Sequence, residues 1–579
     1  MFGIGNMYNK DIEKIFNEIA LMLSLNETPT SKFEIRAYQK AAFTIGTLQE
    51  PIEDIYKRGG AKALMELPGI GKTIAMHIEE YIKTGKIKKY EELKRKYPIN
   101  MSELTSLTGM GAKKAIVLYK QLGIKNIEDL KKAIEEHKIE KLEKFGERSE
   151  DLIRRGIEIY EKSKGRMLLG DVFPIADNIV EKLLSSGLID KIMVAGSIRR
   201  MRETVGDLDI LAISDKQTQV MDFFISLNNV DKIVSKGPTK TTVWLKDGLS
   251  CDLRVIEPKS FGAAVQYFTG SKEHNIELRQ IAISKGYKLN EYGLFDKRGK
   301  NIGGSDEKSI YEQLGLQYIP PEMREGRGEL ELAKEHKIPK IVELSDIQGD
   351  LHTHTKETDG ANTIEEMVNE AKKLHYKYVA ITNHTKSLKV AHGMNDNQFE
   401  EFFARMNKID FGNIKVLKGA EVDILENGSL DLKDKTLEEM DCVVAAIHSK
   451  FSMSEDEMTV RVIKAFETGL VNIFAHPTGR LIGMREPYKI NIEKVAEAAE
   501  RNNVVLEINS FPNRLDLNDS NILLLSKYNI KFSIDTDSHR TTHLYYMRLG
   551  VGMARRGWLT KDKIINTLEY NQLMKILKK

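Results

Sequence analysis

Apolar residues recur three and four positions apart through residues 1–95, as in DIEKIFNEIALMLSL (11–25), and predict short amphipathic helices. Two stretches there and just beyond share one layout. LMELPGIGKTIAMHIEEYIKTG (64–85) and LTSLTGMGAKKAIVLYKQLGI (104–124) each read as helix, Gly-x-Gly turn, helix. From about residue 190 the period shortens to two. KIMVAGS, DLDILAI and CDLRVI are strand-like runs separated by turn residues. Residues 316–346, with prolines, glycines and mixed charge, read as a linker. After it, apolar runs (KYVAIT, VVAAIH, VNIFAH, VVLEIN, KFSIDT) alternate with helical segments, the rhythm of parallel β/α units.

Composition narrows the classes. A chain of 579 residues is long enough for several domains, each with its own core. No run is long and apolar enough to span a membrane. The first residues lack a signal-peptide layout, which predicts a cytoplasmic protein. Cys251 and Cys442 are too few for a disulfide framework. Residues 1–330 carry 53 Lys and Arg against 48 Asp and Glu, the remainder 35 against 37, a slight tilt toward an anionic partner for the front part.

GIGKT suggests a nucleotide-binding loop, but that motif needs a glycine where Glu66 stands. A helix-hairpin-helix fits better. Gly69 and Gly71, and Gly109 and Gly111, let the chain approach a phosphate, and the N–H groups opening the next helix face that anion. Such contacts hold a duplex without reading its bases.

In VAGSIRRMRETVGDLDILAI (194–213), a strand puts Asp207 and Asp209 on one face and Leu208 and Ile210 on the other. Adjacent like charges repel unless a cation bridges them. Asp252, in CDLRVI, is a third carboxylate on a strand. Three carboxylates suit Mg²⁺, and two such ions about 3.5–4 Å apart can serve both the attacking and the leaving oxygen of a phosphoryl transfer. GSIRR…VGDLDIL, CDLRV and YFTGSKEHNIELRQIAISKGYKLNEYGLF (267–295) resemble the family X DNA polymerases, over most of residues 1–320. The resemblance implies that Asp207, Asp209 and Asp252 are the catalytic, metal-holding carboxylates, with Asp252 the base for the primer 3′-hydroxyl. It implies that Gly196, Ser197 and Arg200 bind the triphosphate. Tyr267 and Phe268, in the YFTGS run with Gly270, would lie against the sugar. Asn275 would face the incoming base and Arg279 the template strand. Tyr38 matches a residue near a 5′ phosphate. Where family members with lyase activity carry a Schiff-base lysine, this chain has His77, which has no such amine. The expectation is 5′-phosphate binding with weak or absent lyase activity.

Thirteen histidines occur, and six of them (His352, His354, His384, His448, His476, His539) end strand-like runs. In a β/α barrel strand ends converge on one rim, so dispersed ligands meet there. GDLHTHTKETDG, AAIHSKF, AHPTGR and LEINSFPNR resemble the polymerase-and-histidinol-phosphatase (PHP) domain, from about 346 to 579. The resemblance implies a distorted seven-stranded β/α barrel with a trinuclear metal site. Its ligands would be His352, His354, Asp359, His384, Glu421, His448, His476, Asp537 and His539. Asn383 stands where an aspartate is commoner, and His392 matches no ligand position.

The expected fold is multidomain α+β and α/β: a helical lyase-like region (1–95), a second helix-hairpin-helix (96–165), a nucleotidyltransferase palm with a mixed sheet (166–258), a nucleotide-selection subdomain (259–320), a linker (321–345) and the PHP barrel (346–579). The expected function is gap-filling DNA synthesis in repair, with a 3′–5′ exonuclease, and cleavage at abasic sites as a further activity of the barrel. The polymerase site would take two Mg²⁺ or Mn²⁺ ions and the barrel up to three Mn²⁺, Zn²⁺ or Fe²⁺. Partners would be gapped or primed DNA and deoxynucleoside triphosphates, with the chain a monomer. The alternatives are a DNA-binding protein whose barrel is a small-molecule phosphatase, and a non-catalytic scaffold for DNA ends.

Overall fold

The computed structural model describes residues 6–24, 29–48, 51–105, 107, 110–142, 145–146, 149–154, 156–157 and 165–578. Gly109 therefore lies outside the described residues. The chain divides into two compact units, residues 1–164 with 483–485 and residues 165–482 with 486–579.

The described part of residues 1–164 is helical. Helices Asn6–Ser24, Pro29–Thr47, Ile52–Met65, Lys72–Thr84 and Lys88–Lys96 turn their apolar stripes inward. Ile12, Phe16 and Ile19 meet Ala41, Ile45, Ile74 and Ile78 in one core. Full burial of each large apolar side chain contributes about 1.5–3 kcal/mol. Met101–Thr105, Ala112–Leu122 and Ile127–Glu135 follow. Both hairpin helices, Lys72–Thr84 and Ala112–Leu122, start after an extended glycine (Gly71, Gly111) and stop at a left-handed one (Gly85, Gly123).

The second unit begins with strands β1 (Met167–Leu168), β2 (Lys191–Val194), β3 (Thr204–Val205), β4 (Asp207–Ile213), β5 (Val230–Lys236), β6 (Lys240–Leu245) and β7 (Ser250–Val255). β1 pairs with β3, and the others form a mixed sheet in the order β2-β4-β7-β6-β5. Only β4 and β7 run parallel there. Alternation sets the faces. Leu208, Ile210, Ala212, Cys251, Leu253 and Val255 enter the core, and the aspartates take the other side. Strands β8 (Lys288–Asn290), β9 (Gly293–Phe295) and β10 (Asn301–Gly303) make a small antiparallel sheet. It stands beside helices Phe261–Thr269, Lys272–Ser284 and Glu307–Gln313.

The segment read as a linker is packed rather than free. Arg324 and Glu329 are fully buried within it, and Met323, Leu330 and Ala333 join a core with Leu278, Leu294 and Tyr311. Arg324 and Arg199 both hold Glu307, at 2.6 and 2.8 Å. Burial alone would raise the Glu307 carboxyl, yet these two guanidiniums bring it down to about 2.

Seven parallel strands complete the chain: β11 (Gly349–Asp350), β12 (Tyr378–Ile381), β13 (Lys415–Asp423), β14 (Cys442–Ala446), β15 (Ile473–Phe474), β16 (Val505–Asn509) and β17 (Phe532–Asp535), adjacent in chain order. A bridge from Thr353 to Ser538 and the Leu351 N–H on Asp535 bring the first and last strands together. The result is a nearly closed seven-stranded barrel. Gly349 opens it because a side chain there would lie 2.2 Å from the Tyr378 carbonyl oxygen.

Candidate active sites

In the mixed sheet, Asp209 of β4 and Asp252 of β7 are register partners, with Asp207 two residues before on the same face. Burial, then the Asp207 and Asp252 charges, push the Asp209 carboxyl up to about 6. Asp252 is differently held. The Thr242 hydroxyl donates to it at 2.6 Å, and Lys240 and Arg254 lie 2.9 and 3.1 Å away. The three carboxylates are not gathered to within 4.8 Å of one another, whereas eight of the nine barrel residues fall in groups that are. Gly196 has φ +70°, and a Cβ there would be 3.1 Å from an Asp209 carboxylate oxygen. Glycine is what lets the loop pass over the acid. Beside it the Ser197 hydroxyl is buried without a partner, as an oxyanion-binding group would be.

Every residue assigned by resemblance to triphosphate, sugar, base or template lines one cavity of about 790 Å³, together with Asp207 and Asp209. Asp252 is not on its wall. Tyr267 and Phe268 pack edge to face at 5.2 Å. Asn275 is fixed between the Tyr267 carbonyl and Gln266, and Arg279 donates to the Asn275 carbonyl at 3.1 Å. Sequence reasoning missed Arg166, Arg202, Glu325 and Arg327 on this wall. The signals were the third arginine of RRMR and the charges of REGRG, which a linker reading discounts.

At the barrel rim all nine predicted ligands converge. Glu421, on β13, is the hub. One carboxylate oxygen lies 3.1 and 2.9 Å from His448 and His476, and the other lies 3.3, 3.4 and 2.9 Å from His352, His354 and His384. Asp537 is 3.3 Å from His354, and Asp359 is 3.4 Å from both His384 and His539. Several of these buried donors and acceptors make no hydrogen bond: His352 Nε2, both His354 nitrogens, His384 Nδ1, His476 Nδ1 and one Glu421 oxygen. Converging buried nitrogens and carboxylates left without hydrogen bonds are what a set of metal ligands looks like. Burial, with His539 and His384 adjacent, drives His354 down to about 3, and burial with Arg514 does the same for His476. Both imidazoles are thus neutral at pH 7, the form that ligates.

Supporting groups were less legible. Glu507 of β16 accepts from His352 Nδ1 at 2.6 Å and from the His476 N–H, fixing which nitrogen points inward. Asp423 is 3.3 Å from His448 Nδ1. The Asn383 amide oxygen accepts from the Thr355 N–H at 2.8 Å, so it braces the first histidine strand. His392 belongs to none of these clusters.

In the helical unit, neither hairpin helix has a side-chain hydrogen bond at its N-cap, the position where a helix start can receive an anion. Tyr38 is buried, and its hydroxyl lies 2.9 Å from His77 Nδ1, so the two share one hydrogen bond. Burial lowers the His77 imidazole below its ordinary range.

Similarity to known proteins agrees with this layout. Residues 7–87 match a helix-hairpin-helix domain, 101–158 a SAM-like helix-hairpin-helix tandem, 264–325 the DNA polymerase beta thumb and 350–511 the PHP domain. The DNA polymerase/3′–5′ exonuclease PolX of Bacillus subtilis is 36% identical over 99% of this chain and 100% of its own. The chain belongs to the family X DNA polymerases that carry a PHP domain. Across part of the polymerase's length the likeness extends further. DNA polymerase lambda of Arabidopsis thaliana is 27% identical over 55% of this chain and 62% of its own. A probable phosphatase of Thermoanaerobacter is 29% identical over 38% of this chain and 89% of its own. Among the described residues no helix of the polymerase is long and apolar enough to cross a membrane.

Proposed function

We propose that this DNA polymerase fills short gaps in DNA at Asp207, Asp209 and Asp252, and that its barrel removes nucleotides from 3′ ends. The observation that supports it is the coexistence of two distinct ligand sets, one of carboxylates beside a nucleotide-sized cavity and one rich in imidazole at a barrel rim.

In the polymerase site, two Mg²⁺ or Mn²⁺ ions held by the three aspartates would neutralise phosphate oxygens and make the primer hydroxyl easier to deprotonate. The chain supplies the positioning. Gly196 and Ser197 offer a close backbone and a free hydroxyl to the triphosphate, and Arg200 a charge. Tyr267 and Phe268 form the surface against which the sugar rests. Asp252, steadied by Thr242, takes the hydroxyl proton. In the barrel, up to three ions (Mn²⁺, Zn²⁺ or Fe²⁺) held by the nine ligands would polarise the phosphodiester and acidify water. Glu507 and Asp423 keep the imidazoles aimed. The hairpins and Arg279 hold DNA, and His77 provides no amine for Schiff-base chemistry.

Two double variants test this. Asp207→Ala with Asp209→Ala should reduce primer extension on gapped DNA by at least roughly a thousandfold, with 3′-end degradation unchanged. His352→Ala with His354→Ala should do the reverse. Loss of both activities in either folded variant would rule out two independent sites.

A further inference from the structure

The cavity wall includes a carboxylate, Glu325, and three arginines meet on it. Arg200 Nε donates to it at 3.0 Å, Arg202 is 3.3 Å away, and Arg556 donates at 2.8 Å. Arg556 is the last residue of helix Met547–Arg556, an element of the barrel domain, and it is 3% exposed. The same Arg556 nitrogen also donates to the main-chain oxygen of Arg200 at 2.7 Å, and its other terminal nitrogen holds Asp519. We propose that Arg556 positions Arg200 for the triphosphate, so that the nucleotide pocket of the polymerase is completed by a residue of its exonuclease domain. The proposal rests on the assignment of Arg200 to the triphosphate.

The geometry explains how. A free arginine side chain samples many rotamers, and fixing it before the ligand arrives removes an entropic cost from binding. Arg200 is held at Nε by Glu325 and at one terminal nitrogen by the Thr269 carbonyl. Among the described residues no acceptor takes the other terminal nitrogen. The guanidinium is therefore oriented with one donor pair left for a phosphate oxygen. Glu325 can act as this anchor only while it is ionised and fixed. Burial would raise its carboxyl, but Arg556 first and then Arg200 outweigh that and keep it below the usual range. Arg556 thus acts twice, on the Arg200 backbone and on the carboxylate that aims the side chain. Arg327, also on the cavity wall, is tied to the same scaffold through Asp519 at 3.0 Å. The opposing possibility is that Glu325 competes with the triphosphate for Arg200, and the two differ in sign.

The test uses the full chain on single-nucleotide-gapped DNA. Kinetic constants for one deoxynucleoside triphosphate would be measured for wild type, Arg556→Gln, Arg556→Lys and Glu325→Gln, alongside 3′ hydrolysis of single-stranded DNA. Arg556→Gln should raise the nucleotide KM roughly tenfold, the worth of one charge-assisted hydrogen bond. Its kcat should stay within about twofold and its 3′ hydrolysis should be unchanged. Arg556→Lys should recover part of the KM, and Glu325→Gln should raise KM. An unchanged KM in Arg556→Gln, or a lower KM in Glu325→Gln, overturns the proposal. Should Arg556→Gln fail to fold, Glu325→Gln decides. Arg200→Ala separates the levels: if it leaves KM unchanged while the Asp207 and Asp209 variants still abolish synthesis, the triphosphate assignment has failed and not the link to the barrel.

Discussion

Asp209 shows how much one side chain carries. Its carboxyl sits at about 6 against an ordinary 3.8 because of burial, Asp207 and Asp252. A carboxyl raised on folding lends stability that is whole below its unfolded value and lost as the pH rises through the folded one. In chelator, this group's contribution should therefore vanish between about pH 4 and pH 6. Asp207→Asn removes a neighbouring negative charge and lowers that folded value. The variant should melt progressively higher than wild type as the pH climbs across this window, and adding Mg²⁺ should narrow the gap. Thermal denaturation at a series of pH values checks it; a pH-independent difference would contradict it. The Asp-x-Asp pair was legible because a strand alternates faces, and His352-x-His354 for the same reason. Glu325 was not, since the arginine that steadies it, Arg556, lies more than two hundred residues along the chain.

Among the elements, the two hairpins separate backbone strain from ligand approach. Gly69 has φ +82°, and a Cβ there would meet the Lys40 side chain at 2.6 Å. Gly71 has φ −84° and open space around it. Gly69→Ala should lower stability by about 1 kcal/mol or more. Gly71→Ala should leave the melting temperature within about a degree while weakening gapped-DNA binding, because the methyl obstructs a phosphate at the helix start. Melting curves and salt-dependent binding of the two variants distinguish these effects. Helix periodicity and the Gly-x-Gly turns exposed these elements in the sequence. The segment around 321–345 was less readable: prolines and charges that suggest a tether become buried pairs once Glu307 is there to receive Arg324. Local pattern records a residue's polarity and says nothing of a distant counter-charge.

The whole second unit behaves as one body in its contacts. A single hydrophobic core includes Leu208 and Leu253 of the mixed sheet together with Leu506 and Ile534 of the barrel. Arg480 reaches Glu203 at 2.7 Å and Arg548 reaches Asp177 at 3.2 Å. A Cβ on Gly170 would strike Pro512 at 2.6 Å. Residues 165–579 should accordingly unfold in one cooperative transition, and Gly170→Val should shift all of it downward. Calorimetry following loss of polymerase and exonuclease activity together checks this; two transitions that the substitution moves apart would refute it. The alternation of apolar runs with helices pointed to parallel β/α units and the resemblance to the PHP domain to a seven-stranded barrel, but nothing local announces that two domains share a core.

The arginine at 556 also bears on inheritance. A polymerase site that leans on an ionic junction supplied partly by the barrel ties the two domains together. A lineage that lost the charge at 556 would take one counter-charge from both Glu325 and Asp519, and the change that compensates at Glu325 would have to arise in the other half of the gene. Positions 325, 519 and 556 should therefore change as a set across descendants of this chain.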